Sequence, residues 1–118
     1  AACHIYADAS IYQPLIEALA KKVSSLTFNQ ADDRCNDLGP LISQRQRNSV
    51  ASFVERALEQ PHIQLLAGGQ IPAGPGFYYQ PTLLAGARHD DEIVRREVFG
   101  PVVSVTSCPT AQQAITAA

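Results

Sequence analysis

Apolar residues recur along the chain at two different spacings, and these spacings predict strands alternating with helices. The stretch CHIYA, residues 3–7, is short and apolar and is followed by Asp8, so it predicts a strand. The next stretch carries an apolar stripe at helical spacing, formed by Ile11, Leu15, Ile16, Leu19, Val23 and Leu26. Ser10 is the expected N-cap of this helix. Pro14 is then expected in its first turn, where the missing N–H costs little.

A second helix is predicted after a polar loop that contains Gly39 and Pro40. Ser43, with Gln46 three residues later, forms a capping-box pattern. The apolar run that follows lies at i, i+3, i+4, i+7 and i+8 and consists of Val50, Phe53, Val54, Ala57 and Leu58. Pro61 is expected to end this helix.

Three further stretches predict strands. The stretch HIQLLA, residues 62–67, is ended by two glycines, and FYYQPTLL, residues 77–84, looks extended. Pro81 restricts the latter to an edge strand or to a strand end, because proline has no N–H for the ladder. The β-branched run PVVSVTS, residues 101–107, is typical of a strand buried in a parallel sheet.

Two more helices complete the pattern. A short one is predicted in DDEIVRRE, residues 90–97, with Asp90 or Asp91 as its cap, and a last one begins at the capping-box pair Thr110 and Gln113. Strands that alternate with helices favour an α/β fold of three layers, αβα, around a mostly parallel sheet.

Composition and charge exclude several classes of protein. The chain has 118 residues, 46% hydrophobic and 17% charged, with a net charge of −2 and no basic run, so no nucleic-acid or membrane partner is expected. Its three cysteines, Cys3, Cys35 and Cys108, are an odd number and widely spaced, which favours a reducing compartment, the cytoplasm. Both ends stop inside apparent regular structure, so we interpret the chain as a segment of a longer protein.

General catalytic motifs are missing from the sequence. It has no G-x-G-x-x-G, no P-loop, no G-x-S-x-G, and no C-x-x-C or H-E-x-x-H, so no metal is expected. His4, His62 and His89 lack ligand spacing and are interpreted as strand-end or surface residues. The pairs Asp32–Asp33 and Asp90–Asp91 are interpreted as solvated loop and helix-cap residues rather than acid/base pairs.

One stretch resembles a known family. EIVRREVFGPVVSV, residues 92–105, contains Glu-Val-Phe-Gly-Pro followed by an apolar strand, and it resembles the signature of the NAD(P)-dependent aldehyde dehydrogenase superfamily. The order of the other motifs is also similar: LGPLIS before a helix, a strand ending in AGG, and then GFYYQPTLL. The resemblance covers essentially all 118 residues. Within the superfamily, the chain resembles the betaine-aldehyde and gamma-aminobutyraldehyde dehydrogenases in particular.

The resemblance implies which domain the chain belongs to and which reaction the parent enzyme catalyses. Residues 1–118 would belong to the catalytic domain, without the dinucleotide-binding domain. In such enzymes a cysteine attacks the aldehyde, the thiohemiacetal delivers hydride to NAD or NADP, and a carboxylate base activates the water that releases the acid. The parent would act on an aldehyde substrate without a metal, as a homodimer or homotetramer.

The resemblance also assigns two cofactor-binding residues. Glu97 would accept hydrogen bonds from the nicotinamide ribose hydroxyls, and Phe99 would line the nicotinamide side of the cleft. The alternatives are that Glu97 pairs with Arg95 or Arg96, and that Phe99 is an ordinary core residue.

No catalytic residue is expected within the chain itself. Cys3 corresponds to a second cysteine four residues after the nucleophile, which would lie two residues before Ala1, and the general base would lie further upstream. Cys35 and Cys108 match no residue with a role in the family, and His4 stands where the family usually has arginine. The isolated chain is therefore expected to be inactive. The alternative function is a truncated, non-catalytic domain that acts only as a structural or association unit.

Overall fold

Strands and helices alternate along most of the chain, as the spacing predicts. The computed structural model describes residues 4–28, 36–109 and 115. Its elements are β1 (His4–Asp8), α1 (Ala9–Ser25), α2 (Gln44–Leu58), β2 (Gln64–Ala67), β3 (Thr82–Ala85), α3 (Glu92–Arg95) and β4 (Val102–Cys108). The predicted helix at Thr110, and the residues Cys3, Cys35, Asp32 and Asp33, lie outside the described residues.

The four strands form one sheet in the order β1-β4-β3-β2. Strand β4 runs parallel to both of its neighbours, β1 and β3, whereas β2 runs antiparallel to β3. No helix separates β2 from β3 in the chain, so these two strands lack the crossover that a parallel pair requires. The prediction of a mostly parallel α/β sheet is confirmed, with β2 as the antiparallel exception.

Helices cover both faces of this sheet, and together they give the three predicted layers. Leu83 and Leu84 are both 0% exposed, yet they belong to different core clusters because successive strand residues point to opposite faces. Helix α1 packs on the face that contains Leu83, through Ile16 and its partly buried neighbours. Helices α2 and α3 cover the face that contains Leu84.

The start of α1 differs from the prediction. Asp8, not Ser10, is the N-cap, because the Asp8 carboxylate accepts hydrogen bonds from both the backbone N–H of Ser10, at 2.8 Å, and its hydroxyl, at 2.7 Å. The helix therefore begins at Ala9, and Pro14 lies in its second turn rather than its first. At this position proline cannot donate to the carbonyl of Ser10, four residues earlier.

The remaining caps and strand bounds also differ in detail. Ser43 caps α2 as predicted, with its hydroxyl accepting from the N–H of Gln46 at 3.1 Å. Asp91 occupies the cap position of α3, but its side chain makes no capping bond. The second and third strands are shorter than predicted, because His62 lies in a turn and residues 77–81 form an irregular segment. Pro81 directly precedes β3, so its predicted place at a strand end is confirmed.

Gly86 closes β3 in a conformation that only glycine adopts without strain. Its φ is +80°, and a Cβ built there would lie 2.1 Å from the carbonyl oxygen of His62. That oxygen belongs to the backbone, so it cannot move aside as a flexible side chain would.

Gly86→Ala is therefore expected to lower the free energy of unfolding by at least about 2 kcal/mol, measured by urea denaturation of the complete protein. Gly39→Ala is the matched control, because a Cβ at Gly39 meets nothing within 4 Å. This control should change stability by less than about 1 kcal/mol. Equal stability of the two variants would contradict the assigned constraint at Gly86.

Candidate functional site

The segment 97–101 joins α3 to β4 and is held firmly in place by its backbone. The N–H of Gly100 donates to the carbonyl of Val98 at 3.0 Å, and the N–H of Val102 donates to the carbonyl of Gly100 at 2.8 Å. The carbonyl of Pro101 accepts from the N–H of Thr82 at 2.8 Å, which ties the segment to the start of β3. Val98 is 6% exposed and belongs to the core cluster under α2.

Gly100 allows this segment to approach α2 closely. A Cβ at Gly100 would lie 2.7 Å from Cγ2 of Val50, which is itself 2% exposed and fixed in the core. Any larger residue would push the segment away from the helix. The glycine of Glu-Val-Phe-Gly-Pro therefore has a packing role in this structure.

Gln46 joins the first turn of α2 to the same segment. Its Oε1 accepts from the N–H of Ile42 at 2.9 Å, and its Nε2 donates to the carbonyl of Phe99 at 2.8 Å. In the capping box predicted from sequence, this amide would return to the N–H of Ser43. The structure instead assigns it a bridging role that sequence reasoning missed. The only sequence signal was its place in the capping pattern.

Glu97 and Phe99 point away from the core on either side of the buried Val98. Phe99 is 67% exposed, so the alternative that it is an ordinary core residue is wrong. Both side chains border a cleft of about 290 Å³, whose other wall is the first half of α2, including Ser43, Gln46 and Ser49. The structure thus brings the two predicted cofactor-binding residues together with Gln46.

The Glu97 carboxylate has no ion-pair partner among the described residues. Arg96 instead contacts Glu92, with 3.7 Å between Nη1 and Oε2, and Arg56 contacts Glu92 at 2.7 Å. The alternative pairing of Glu97 with Arg95 or Arg96 is therefore not formed. Glu97 presents an exposed carboxylate, an acceptor-only group, to the cleft.

The cleft lies at the amino end of β4, and the amino end of β1 lies at the same edge of the sheet. The two strands are parallel neighbours, with His4 opposite Ser104 and Asp8 opposite Cys108. His4, the first residue of β1, therefore lies at the sheet edge near Glu97 and Phe99. Cys108, buried at the last position of β4, lies at the opposite edge.

His4 is half-buried in a polar row that crosses β1 and β4. Its Nδ1 is 2.6 Å from the hydroxyl of Ser104, and its Nε2 is 3.2 Å from the hydroxyl of Thr106. Burial lowers the pKa of His4. A hydrogen bond with the backbone of Ser104 opposes this shift, and the nearby charge of His89 adds to it. The strand-end position expected for His4 is confirmed, but its environment is interior rather than surface.

His62 is also more buried than expected for a surface residue, and it pairs with an acidic side chain. Its Nε2 lies 2.7 Å from Oδ2 of Asp91, and the two side chains are only 18% and 11% exposed. The same carboxylate oxygen accepts from the N–H of Arg88 at 2.8 Å. The interpretation of Asp91 as a solvated cap is therefore wrong, since it is a structural partner of His62, whereas Asp90 and His89 are exposed as predicted.

Two findings, on metal sites and on membrane-spanning helices, apply to residues 4–28, 36–109 and 115. In these ranges, histidine, cysteine and acidic side chains nowhere gather in a group of three or more suited to a metal ion. None of the helices described there is long and apolar enough to cross a membrane.

Comparison with known proteins decides the family. The aldehyde dehydrogenase family profile matches residues 1–118. The chain belongs to the aldehyde dehydrogenase family. Members of this family are NAD(P)-dependent oxidoreductases.

Individual members of the aldehyde dehydrogenase family align with nearly the whole chain. It is 36% identical, over 92% of its length, to (Z)-2-((N-methylformamido)methylene)-5-hydroxybutyrolactone dehydrogenase of Acinetobacter baylyi, and covers 22% of that protein. It is 30% identical, over 97% of its length, to betaine aldehyde dehydrogenase of Rhizobium etli, and covers 24% of it. The Mycobacterium tuberculosis aldehyde dehydrogenase complexed with NAD+ superposes with a TM-score of 0.90 at 32% identity, over 97% of this chain and 24% of that one. The chain thus spans less than a quarter of the length of each of these relatives.

Gln46→Leu should lower the free energy of unfolding by about 1–3 kcal/mol, because it leaves the N–H of Ile42 and the carbonyl of Phe99 without their side-chain partner. Urea denaturation measures the change. Gln44→Leu is the matched control, since Gln44 is exposed on the same helix turn, and it should stay within about 0.5 kcal/mol of the original protein. If both variants lost the same stability, Gln46 would have no bridging role.

His4 should make the protein less stable in mild acid. Because its folded pKa is lowered from 6.5, the unfolded chain takes up the proton first as the pH falls. The contribution of neutral His4 is complete above pH 6.5 and is lost as the pH falls below that value. His4→Gln should therefore flatten the loss of stability as the pH falls below about 6.5, by at most about 1.4 kcal/mol per pH unit.

Denaturation midpoints across this pH range measure the His4 effect. His89→Gln is the control, because His89 is exposed and should leave most of the slope in place. Identical slopes for the original protein and His4→Gln would overturn the assignment.

Proposed function

We propose that this chain is part of an NAD(P)-dependent aldehyde dehydrogenase and forms one wall of the cleft that holds the nicotinamide end of the cofactor. The parent enzyme oxidises an aldehyde to its carboxylic acid through a thiohemiacetal on a cysteine. The observation that carries this proposal is the exposed, unpaired carboxylate of Glu97 beside the exposed ring of Phe99, on a segment that is fixed to α2.

Glu97 suits the recognition of a ribose. An ionised carboxylate has two acceptor oxygens, so it can accept hydrogen bonds from two adjacent hydroxyls. No described cation forms an ion pair with Glu97, although Arg45 lines the same cleft, so both carboxylate oxygens are available to a ligand. The cofactor, once bound, supplies the hydride acceptor.

Phe99 and Gln46 complement that interaction. The 67%-exposed ring of Phe99 offers an apolar surface that would exclude water on one side of the cleft. The hydrogen bond from Gln46 to the Phe99 carbonyl fixes the peptide that follows Phe99, and burial of Val98 anchors the backbone that precedes it. Preorganised groups of this kind bind with less loss of conformational entropy.

The cysteine nucleophile is proposed to precede residue 1, and the general base to lie further upstream. The parallel pairing of β1 with β4 supports this, because it places His4, at the amino end of β1, at the same sheet edge as Glu97. Cys108 is a poor alternative nucleophile. It is buried, and β4 separates it from the cleft by about 20 Å, at about 3.3 Å per residue. We therefore propose that residues 1–118 alone have no dehydrogenase activity.

Further proposals concern the substrate, cofactor, assembly and location of the parent enzyme. We propose that the substrate is a betaine-type or amino-aldehyde, with NAD or NADP as cofactor. The similarity to betaine aldehyde dehydrogenase supports this proposal.

A homodimer or homotetramer is supported by large apolar side chains that are 40–42% exposed on β2 and the loop after it, namely Leu65, Ile71 and Phe77. A cytoplasmic location is supported by the free thiol of Cys108.

Glu97→Gln in the complete protein should lower kcat/KM for the cofactor by about 5- to 50-fold, with betaine aldehyde as substrate. The amide keeps one acceptor oxygen but loses the charge, and a charge-assisted hydrogen bond contributes about 1.5–3 kcal/mol. Initial rates of NAD(P)H formation at varied cofactor concentration give the values.

Glu55→Gln is the matched control, since Glu55 is an exposed carboxylate on α2 that does not line the cleft, and it should leave kcat/KM unchanged. Unchanged cofactor kinetics in Glu97→Gln would contradict the ribose role. If the complete protein reduced neither NAD nor NADP with any aldehyde, a non-catalytic structural or association unit would replace the proposal.

A further inference from the structure

A second cavity, of about 480 Å³, lies at the opposite end of β4 from the Glu97 cleft. Its lining comes from the carboxyl ends of β1 and β4, the loop after β3, and the first turn of α1. The side chains relevant to binding are Tyr6, Tyr12, Arg88, His89, Thr106 and Cys108. Ligands of α/β proteins commonly bind at the carboxyl ends of parallel strands, and this volume falls in the usual range of about 300–1,000 Å³ for small-molecule sites.

The floor and one wall of this cavity are rigid. Thr106 and Cys108 are 7% and 6% exposed, and both belong to the central strand β4. The hydroxyl of Tyr12 accepts from the N–H of Gly86 at 2.8 Å, which fixes the ring of Tyr12 against the loop after β3. The cavity therefore needs little rearrangement to admit a ligand.

The rim of the cavity is cationic. The backbone of Arg88 is fixed, because its N–H donates to Asp91, which is in turn held by His62. The guanidinium of Arg88 is exposed and makes no hydrogen bond or ion pair with any residue in the described ranges. Next to it, Nδ1 of His89 lies 3.4 Å from the hydroxyl of Tyr6. A positively charged residue therefore lines a mainly apolar, aromatic cavity.

Two acidic residues near this cavity, Asp91 and Asp8, are engaged elsewhere, and a third, Asp90, is exposed and does not line the cavity. Asp91 is paired with His62, and the carboxylate of Asp8, opposite Cys108 in the sheet, accepts from both the N–H and the hydroxyl of Ser10. Neither carboxylate lines the cavity. The charge of Arg88 is consequently available to an anion from solution.

We propose that this cavity binds a small organic carboxylate with an aromatic or branched aliphatic body. The apolar body packs against Tyr6 and Tyr12, and the carboxylate forms a bidentate pair with the guanidinium of Arg88, a geometry that arginine favours. An inorganic anion would leave the aromatic walls uncovered, and a neutral ring would leave the guanidinium unused. A ligand that carries both an apolar body and a carboxylate contacts the aromatic walls and the guanidinium together.

Isothermal titration of the complete protein with benzoate, in saturating NAD+ so that the Glu97 cleft is occupied, tests the proposal. We expect a dissociation constant in the millimolar range or tighter. Benzamide, which keeps the ring without the charge, and acetate, which keeps the charge without the ring, should each bind at least about fivefold more weakly.

Two arginine variants locate the site. Arg88→Gln should weaken benzoate binding at least about fivefold. Arg88→Lys keeps the charge but not the bidentate geometry, so its affinity for benzoate should lie between those of the original protein and Arg88→Gln. Arg95→Gln is the control, because Arg95 is exposed on α3 and does not line the cavity. The thermal midpoint of each variant checks its folding. Absence of benzoate binding up to about 10 mM, equal affinity for benzoate and benzamide, or equal effects at Arg88 and Arg95 would each overturn the proposal.

Discussion

The pairing of β4 on both sides is the constraint on which the rest of the structure depends. Its neighbours, β1 and β3, run parallel to it, so their amino ends meet at one sheet edge and their carboxyl ends at the other. Ser104 and Val105, at its centre, are 0% exposed, and helices cover both faces. A strand this confined cannot shift its register, because a one-residue slip would exchange its two faces. The segments at its two ends therefore have fixed positions.

The amino end of β4 shows how a short motif can present two side chains. Val98 is anchored in the core, so its neighbours on either side, Glu97 and Phe99, must point outward. Gly100 allows this segment to pack against Val50, and Gln46 donates a hydrogen bond to the carbonyl of Phe99. Packing and hydrogen bonds thus hold the backbone and Val98 in place. The carboxylate of Glu97 and the ring of Phe99 are not needed for this and remain exposed. That division of roles is expected of a binding site held on a rigid scaffold.

Much of this fold could be predicted from local sequence, because its determinants are local. The apolar spacing of α2 and its Ser43 cap depend on neighbours within four residues, and both predictions are confirmed. Long-range contacts account for the differences. His62 joins Asp91, 29 residues away, and residues 77–81 bond to other loops, so two predicted strands are shortened. The Gln46 bridge spans 53 residues, and no spacing rule could have revealed it. At the start of α1, Asp8 takes the capping position predicted for Ser10, and its carboxylate accepts from the N–H of Ser10.

The distribution of ion pairs separates structural charges from charges available to ligands. Glu92 contacts Arg56 and Arg96, and Asp91 holds His62 and the backbone of Arg88, so these two carboxylates fix α3 and the preceding loop. Within the described ranges, the Glu97 carboxylate and the Arg88 guanidinium have no such partners, although each lies within nine residues of several charged groups. An exposed charge without a partner contributes little to stability, since even a formed surface pair contributes only about 0–1 kcal/mol. Stability therefore does not account for a carboxylate at one end of β4 and a guanidinium at the other, each beside a cavity with aromatic walls. The proposed binding of a hydroxylated ligand at the first and of an anionic ligand at the second would account for them.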